Sequence, residues 1–297
     1  MNNHRYILEK YSGRNSRSVC PECGMAYQFS KYIDTVTGEV LSDDVGRCNR
    51  IDKCGYHYSP KQYFKNNGTK PKSSEVVLQK PQINQQSTSF IDQSVFNNSL
   101  RGYEDNALVD YLDTLFKHEI VNRLIDIYRV GTSSRYNGGT TVFWQIDASD
   151  NVRTGKLIKY DTTGHRIKGC NNWVHSVINL DNFNLNQCFF GEHLLNHALD
   201  YTVGIVESEK TALIMAASIP KLLWLASGGA EGLSEDKVNV LKGRKVILFP
   251  DASHDSKIYK KWKQKANKFG FEISDYLEQY VNDEQKIKGV DIADFLK

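Results

Sequence analysis

The sequence predicts an α+β chain with three parts: a small cysteine-containing N-terminal module, a β-rich basic half-domain, and a C-terminal α/β part. Four of the six cysteines lie in two pairs within the first 54 residues. In the last hundred residues, continuous apolar runs alternate with helical segments, which is typical of a parallel sheet covered on both faces. The length of 297 residues agrees with two domains and a small accessory module.

Composition and charge exclude several classes of protein. The chain has 38 Lys and Arg against 35 Asp and Glu, and this net charge of +3 is too small to indicate a nucleic-acid partner without local clustering. No apolar run approaches the roughly 18 residues that span a bilayer, and the N-terminus lacks the apolar core of a signal peptide. We therefore expect a cytoplasmic protein with no membrane partner. In that compartment, clustered cysteines indicate a metal site.

The cysteine pattern resembles a zinc ribbon. Cys20 and Cys23 form a C-x2-C pair, Cys48 and Cys54 form a C-x5-C pair, and a glycine follows the second cysteine of each. Four thiolates suit a closed, structural, tetrahedral Zn²⁺ site. The second pair is wider than usual, so His57 is an alternative fourth ligand. The alternative to zinc is two disulfides or four unrelated thiols.

Residues 1–65 combine this pattern with basic and aromatic side chains, and we expect them to form a nucleic-acid-binding module. Arg47, Arg50 and Lys53 surround the second cysteine pair and could contact phosphates, while aromatic rings between them could stack on unpaired bases. The alternative is that the aromatic side chains form the core of the module. Residues 66–89 are rich in Pro, Gln, Asn and Ser and are predicted to be a linker.

Residues 90–199 are predicted to form a basic α+β half-domain. Apolar spacing between Glu104 and Tyr128 predicts two helices that meet around His118. Thr140–Ile146 and Lys156–Tyr160 are predicted strands joined by a turn. A basic strip suits a template strand or an incoming nucleotide, although a solvated strand face is the alternative. The strip consists of Arg153, Lys156, Lys159, Arg166 and Lys168.

Residues 200–297 are predicted to form the parallel sheet. The predicted strands are Val203–Glu207, Leu222–Ser227 and Lys245–Pro250, each followed by a helical segment. Ligands of such sheets bind at the carboxyl ends of the strands, where Glu207 and Asp251 stand. The alternative is that Glu207 caps a helix and Asp251 begins a turn.

The segments VGIVESEKTALIMA, LASGGAEGLS and KVILFPD resemble a toprim domain, the Rossmann-like metal-binding fold of DnaG-type primases, topoisomerases and certain nucleases. The resemblance implies that Glu207 and Asp251 hold catalytic Mg²⁺ or Mn²⁺. Ser253 occupies the position of the second Asp in the family's Asp-x-Asp motif. Asp291 and Asp294 lie in a segment that resembles the one that closes many primase toprim domains. Lys210 could contact a phosphate.

A zinc ribbon, a basic middle and a toprim domain follow one another in DnaG-type primases, and the chain resembles primase-like proteins of bacterial mobile elements. The resemblance implies a nucleotidyltransferase that uses a single-stranded DNA template and Mg²⁺-bound nucleoside triphosphates. It also implies a role in replication or mobilisation of such an element, with the proteins of those processes as further partners. One alternative is an inactive toprim protein that binds nucleic acid, which Ser253 favours. A toprim nuclease is the third hypothesis.

Overall fold

The structure is a computed structural model that describes residues 4–51, 53–68 and 87–295. The chain divides into two compact units, residues 1–85 and residues 86–297. Residues 69–86, which make up most of the predicted linker at 66–89, lie outside the described residues.

The N-terminal unit is built on a small antiparallel sheet in the order β1-β2-β3-β4. Its strands are β1 (Tyr6–Leu8), β2 (Phe29–Asp34), β3 (Gly46–Cys48) and β4 (His57–Tyr58). Helix α1 (Pro60–Asn66), which the sequence analysis does not predict, begins with a capping box at Ser59. Cys20, Phe29 and Cys48 form the buried core, and a core this small needs a further cross-link to be stable.

The second unit begins with three helices and an antiparallel sheet in the order β5-β6-β7-β8. The helices are α2 (Gln93–Ser99), α3 (Ala107–Leu115) and α4 (His118–Ile127), and the strands are β5 (Gly131–Ser133), β6 (Thr140–Ile146), β7 (Val152–Tyr160) and β8 (Arg166–Trp173). Helix α5 (Val174–Val177) follows β8. The predicted pair of helices around His118 is confirmed.

The rest of the second unit is a parallel sheet in the order β10-β9-β11-β12. Its strands are β9 (Thr202–Val206), β10 (Leu222–Ala226), β11 (Val246–Leu248) and β12 (Glu272–Ile273). Its helices are α6 (Glu209–Ser218), α7 (Glu235–Val238), α8 (Lys257–Phe269), α9 (Tyr276–Tyr280) and α10 (Asp283–Lys288). The predicted fold class is confirmed, because buried apolar strands alternate with helices as the sequence indicates.

One hydrophobic core joins the antiparallel sheet to the parallel sheet. It includes Val121 of α4, Phe143 of β6 and Trp224 of β10, all fully buried. The Tyr128 hydroxyl donates a hydrogen bond to the carbonyl oxygen of Trp224 over 2.8 Å. Gly204 of β9 lies against the Trp224 ring, where a Cβ atom would come within 2.7 Å of a ring carbon. Only glycine allows this close approach of strand and ring.

Within the described residues, no helix has both the length and the apolar character that crossing a bilayer requires.

Candidate functional site

The four predicted cysteine ligands lie together in the N-terminal unit. All four Sγ atoms are within 4.8 Å of one another, and the Sγ atoms of Cys20 and Cys54 are 3.8 Å apart. Four sulfurs at the usual Zn–S distance of about 2.3 Å would be separated by about 3.8 Å in a tetrahedron. The thiols of Cys20, Cys23, Cys48 and Cys54 therefore fit a structural zinc ion.

Tight turns bring these thiols to one point. The Gly24 amide donates to the Cys20 carbonyl oxygen over 2.9 Å, and Gly24 has a φ of +66° that glycine adopts without strain. His57 is not part of the group, and its Nε2 atom lies 2.9 Å from the Tyr32 hydroxyl. Cys54 is thus the fourth member of the set, as the C-x5-C spacing allows.

The predicted phosphate-binding cations of this unit differ in their surroundings. Arg47 and Lys53 are exposed to solvent. Arg50 is half-buried, and its Nη1 atom lies 3.8 Å from Cys23 Sγ. A cation at this distance stabilises thiolate charge, so Arg50 faces the metal site.

Three of the predicted acidic residues converge at the carboxyl edge of the parallel sheet. Glu207 follows β9, Asp251 follows β11, and the Glu207 carboxylate accepts a hydrogen bond from the Asp251 amide over 3.2 Å. Asp291 lies near both, and its Oδ2 atom accepts a hydrogen bond from the Thr211 hydroxyl over 2.6 Å. Parallel strands place their carboxyl ends at one edge, which explains why residues distant in sequence meet here.

The acidic groups perturb one another. Burial raises the pKa of Glu207, and the Asp291 carboxylate raises it further, while the hydrogen bond from the Asp251 amide acts in the opposite direction. Burial also raises the pKa of Asp251 well above its usual range, with added repulsion from Glu207 and Asp291 and partial compensation from Arg166. Both shifts indicate carboxylates whose negative charge the protein compensates only in part.

This donor set suits a hard divalent cation, because Mg²⁺ and Mn²⁺ prefer oxygen ligands and the buried carboxylates need positive charge. Among the described residues, however, only the cysteine set brings three or more ligand atoms within 4.8 Å of one another. A Mg²⁺ at this edge would therefore be held directly by fewer than three of these carboxylates and would reach the rest through water ligands, which Mg²⁺ commonly keeps.

The segment after Asp251 supplies no further carboxylate to this edge. The Ser253 hydroxyl accepts a hydrogen bond from the Ile258 amide over 2.9 Å, at the start of α8. Asp255 is exposed and pairs with His254. Asp294 bonds instead to the segment of Asp291, since its Oδ2 atom accepts from the Asp291 amide over 3.1 Å. Asp291 is thus the third carboxylate of the edge, and Asp294 supports it.

Lys210 and the basic strip lie in the same unit, and most of their charged groups have partners within the protein. Lys210 donates to the Gly164 carbonyl oxygen over 3.0 Å, and Arg153 pairs with Asp147 over 2.6 Å. Lys159 donates to the Gly138 carbonyl oxygen.

The remaining strip residues are one half-buried lysine and two cations of β8. Lys156 is bound to Glu209 over 2.9 Å. Arg166 and Lys168 of β8 are exposed, but the Arg166 guanidinium is largely shielded from water beside Tyr160, Glu209 and Asp251. Lys168 is therefore the cation of the strip that a nucleic acid could reach most directly.

Two buried charged residues of this region were not predicted from the sequence. Glu209 begins α6, its side chain is 2% exposed, and it pairs with Lys156. Lys237 of α7 is also buried and donates to the Ser227 carbonyl oxygen over 2.8 Å. Glu209 stands two residues after Glu207, but nothing in the local sequence separates a buried acidic residue from a solvated first-turn glutamate.

Two family models match the chain. Residues 4–69 match a zinc beta-ribbon finger family, in agreement with the cysteine geometry. Residues 106–252 match a domain of unknown function (DUF6371), which covers β5 to β11 and both Glu207 and Asp251.

Among solved structures, the chain is similar to the primase fragment of the bacteriophage T7 primase-helicase protein. The two chains share 12% sequence identity with a TM-score of 0.41, over 87% of this chain and 89% of the phage fragment. A search of curated proteins finds no match.

Proposed function

We propose that this protein is a primase-like nucleotidyltransferase that acts on a single-stranded DNA template with nucleoside triphosphates. The observation that carries the proposal is the convergence of Glu207, Asp251 and Asp291 at the carboxyl edge of a parallel sheet. The toprim resemblance of the segments that end in Glu207 and Asp251 supports it.

In this proposal, the three carboxylates would hold Mg²⁺ or Mn²⁺ partly through water ligands of the ion. The bound ion would stabilise the negative charge that develops on the transferred phosphoryl group. Thr211 holds one oxygen of Asp291 by a hydrogen bond and thereby orients that carboxylate. Arg166, which faces Asp251, is placed to attract the phosphates of a nucleotide or a template.

The proposal assigns one role to each part of the chain. Residues 1–65, with exposed Arg47 and Lys53, bind the single strand through phosphate contacts. Residues 90–199 contribute the exposed cations of β8, and residues 200–297 contribute the carboxylates. Replication or mobilisation of a mobile element, with the proteins of those processes, is the context that the sequence resemblance implies.

A second candidate function is binding of nucleic acid without catalysis. Ser253 favours this function over nucleotidyl transfer. This hydroxyl is engaged with the Ile258 amide, so the segment after Asp251 offers no second acidic ligand. Two-metal phosphoryl transfer requires more anionic ligands than one metal does.

A template-dependent synthesis assay separates these functions. Wild-type protein, Glu207→Gln and Lys221→Met are incubated with single-stranded DNA, nucleoside triphosphates and Mg²⁺ or Mn²⁺, and products are resolved on a gel. We expect short oligonucleotides from the wild type and from the exposed-surface control Lys221→Met, and none from Glu207→Gln.

Absence of product with either metal, together with intact binding of single strands, would refute the nucleotidyltransferase and leave the binding protein. A parallel reaction without nucleotides contains a labelled strand, and metal-dependent shortening of that strand would instead identify a nuclease.

A further inference from the structure

The loop that follows β10 is held by two lysines from different elements. Lys156 of β7 lies 2.9 and 3.1 Å from the two carboxylate oxygens of Glu209, and 3.3 Å from the Gly228 carbonyl oxygen. Lys237 of α7 donates to the neighbouring carbonyl oxygen of Ser227. The backbone of this loop is thus fixed from the antiparallel sheet and from α7.

Gly228 connects this loop to Glu207 at the carboxyl edge of the parallel sheet, through groups of two adjacent peptide units. The Gly228 amide donates to the Glu207 carbonyl oxygen over 2.9 Å, while the Gly228 carbonyl oxygen accepts from Lys156. Movement of the Lys156 side chain would therefore be transmitted to the backbone of Glu207 through Gly228. The path contains two hydrogen bonds and crosses the Cα atom of Gly228, where the backbone has a φ of +86°.

Lys156 has little capacity left for a nucleic acid. A lysine ammonium has three N–H donors, and three acceptor oxygens surround this one. Its side chain is 14% exposed, and that of Glu209 is 2% exposed. Lys168 of the same strip is exposed and has no hydrogen bond or ion pair among the residues that the structure describes.

We infer that Lys156 is a positioning residue, which holds Glu207 in place through the backbone of Gly228 and does not contact nucleic-acid phosphates. The inference rests on the proposed function, because it takes Glu207 as a metal ligand. The sequence places Lys156 and Lys168 in one basic strip, but only Lys168 is then expected to contact nucleic acid.

The test measures metal affinity and DNA binding on the same variants of the full chain. Mn²⁺ binding is followed by the electron paramagnetic resonance signal of the free ion, and binding of a fluorescent oligothymidylate is measured over a range of salt concentrations. We expect Lys156→Met to weaken Mn²⁺ binding several-fold, approaching the loss of about 10-fold that follows removal of a residue that orients a ligand directly.

The salt dependence of DNA binding should separate the two lysines. Each phosphate contact to a single strand contributes about 0.7 to the slope of log K against log salt. We expect Lys156→Met to leave this slope unchanged. The matched control Lys168→Met should lower the slope by about 0.7 and leave Mn²⁺ affinity unchanged.

Two further variants protect the test against misfolding. Lys156→Met leaves Glu209 buried without its partner, so the double variant Lys156→Met/Glu209→Met replaces both charges by apolar groups. We expect it to fold, as judged by circular dichroism, and to bind Mn²⁺ as weakly as the single variant. Lys156→Arg keeps a donor and should restore part of the affinity.

Wild-type Mn²⁺ affinity in both Lys156→Met and the folded double variant would overturn the positioning role. A loss of about 0.7 in the salt slope for Lys156→Met would overturn the claim that Lys156 makes no phosphate contact. Glu207→Gln distinguishes the two proposals. If it binds Mn²⁺ like the wild type, the proposed function fails, whereas weak binding by Glu207→Gln and normal binding by Lys156→Met refutes the inference alone.

Discussion

Replacing Lys237 by methionine should change the stability of the protein in a way that depends on pH. Lys237 is 7% exposed, donates to the Ser227 carbonyl oxygen, and has its ammonium group 4.9 Å from the centre of the Phe189 ring. Burial lowers its pKa from 10.5 to about 8, against the opposing effect of nearby acidic groups. The folded state therefore disfavours the charged form.

The size of the effect follows from this pKa. A lowering from 10.5 to about 8 corresponds to about 3 kcal/mol of unfolding free energy lost at neutral pH, because the unfolded state binds the proton more tightly. As the pH rises from about 7 to about 9.5, the folded state releases this proton while unfolded lysine keeps it. About 2 kcal/mol of the loss should then be recovered.

Urea unfolding of wild type and Lys237→Met at about pH 7 and about pH 9.5 measures this difference. All four tryptophans lie in residues 144–262, so their fluorescence reports on the second unit. We expect the stability of the variant relative to the wild type to fall by about 2 kcal/mol between the two pH values. Lys168→Met, which removes an exposed lysine of β8, is the matched control for the loss of one positive charge. A constant difference for Lys237→Met would refute the reasoning.

Three other predictions follow from the metal sites and the core. Freshly purified protein should contain one zinc per chain by elemental analysis. Cys48→Ser should lower this zinc content well below one per chain and unfold the N-terminal unit. Full zinc content in the variant would contradict the proposed set of four cysteine ligands. Because the pKa values of Glu207 and Asp251 are raised, folding stability is lost as the pH rises through them. Mg²⁺ should therefore raise the melting temperature more at about pH 8 than at about pH 5.5, and Glu207→Gln should reduce this shift. Equal shifts at both pH values would count against the site. Gly204→Ala should destabilise the protein by about 2 kcal/mol in urea unfolding, since the new Cβ would lie 2.7 Å from the Trp224 ring; an unchanged midpoint would mean that strand and ring separate at little cost.

The elements with strong local signals could be predicted from the sequence. The bounds of β6 agree with the predicted strand at Thr140–Ile146, and α6 begins at Glu209 as predicted, behind a Ser208 cap. Both depend on neighbouring residues, through a run of apolar side chains in one case and a cap in the other. The placement of Glu207 and Asp251 at one edge could also be predicted, because parallel strands end on the same side.

Features that depend on distant contacts could not be predicted. Strand β8 is mostly exposed and lacks an alternating pattern, and it exists because it pairs with β7. The Lys156–Glu209 pair joins residues 53 positions apart, and it requires the two sheets to be packed already. Charge and spacing alone therefore assigned Lys156 to a basic strip, whereas burial gives it a partner inside the protein.

The shared core of the second unit limits how this chain can be divided. The Tyr128 hydroxyl bonds to the Trp224 carbonyl oxygen, and Phe190 bridges to Ala226 at the edge of β10. Both contacts connect the predicted half-domains 90–199 and 200–297. A chain cut between residues 199 and 200 would expose apolar surface on each piece. The two pieces should therefore behave as complementing fragments, which fold when they are produced together and aggregate when they are produced apart.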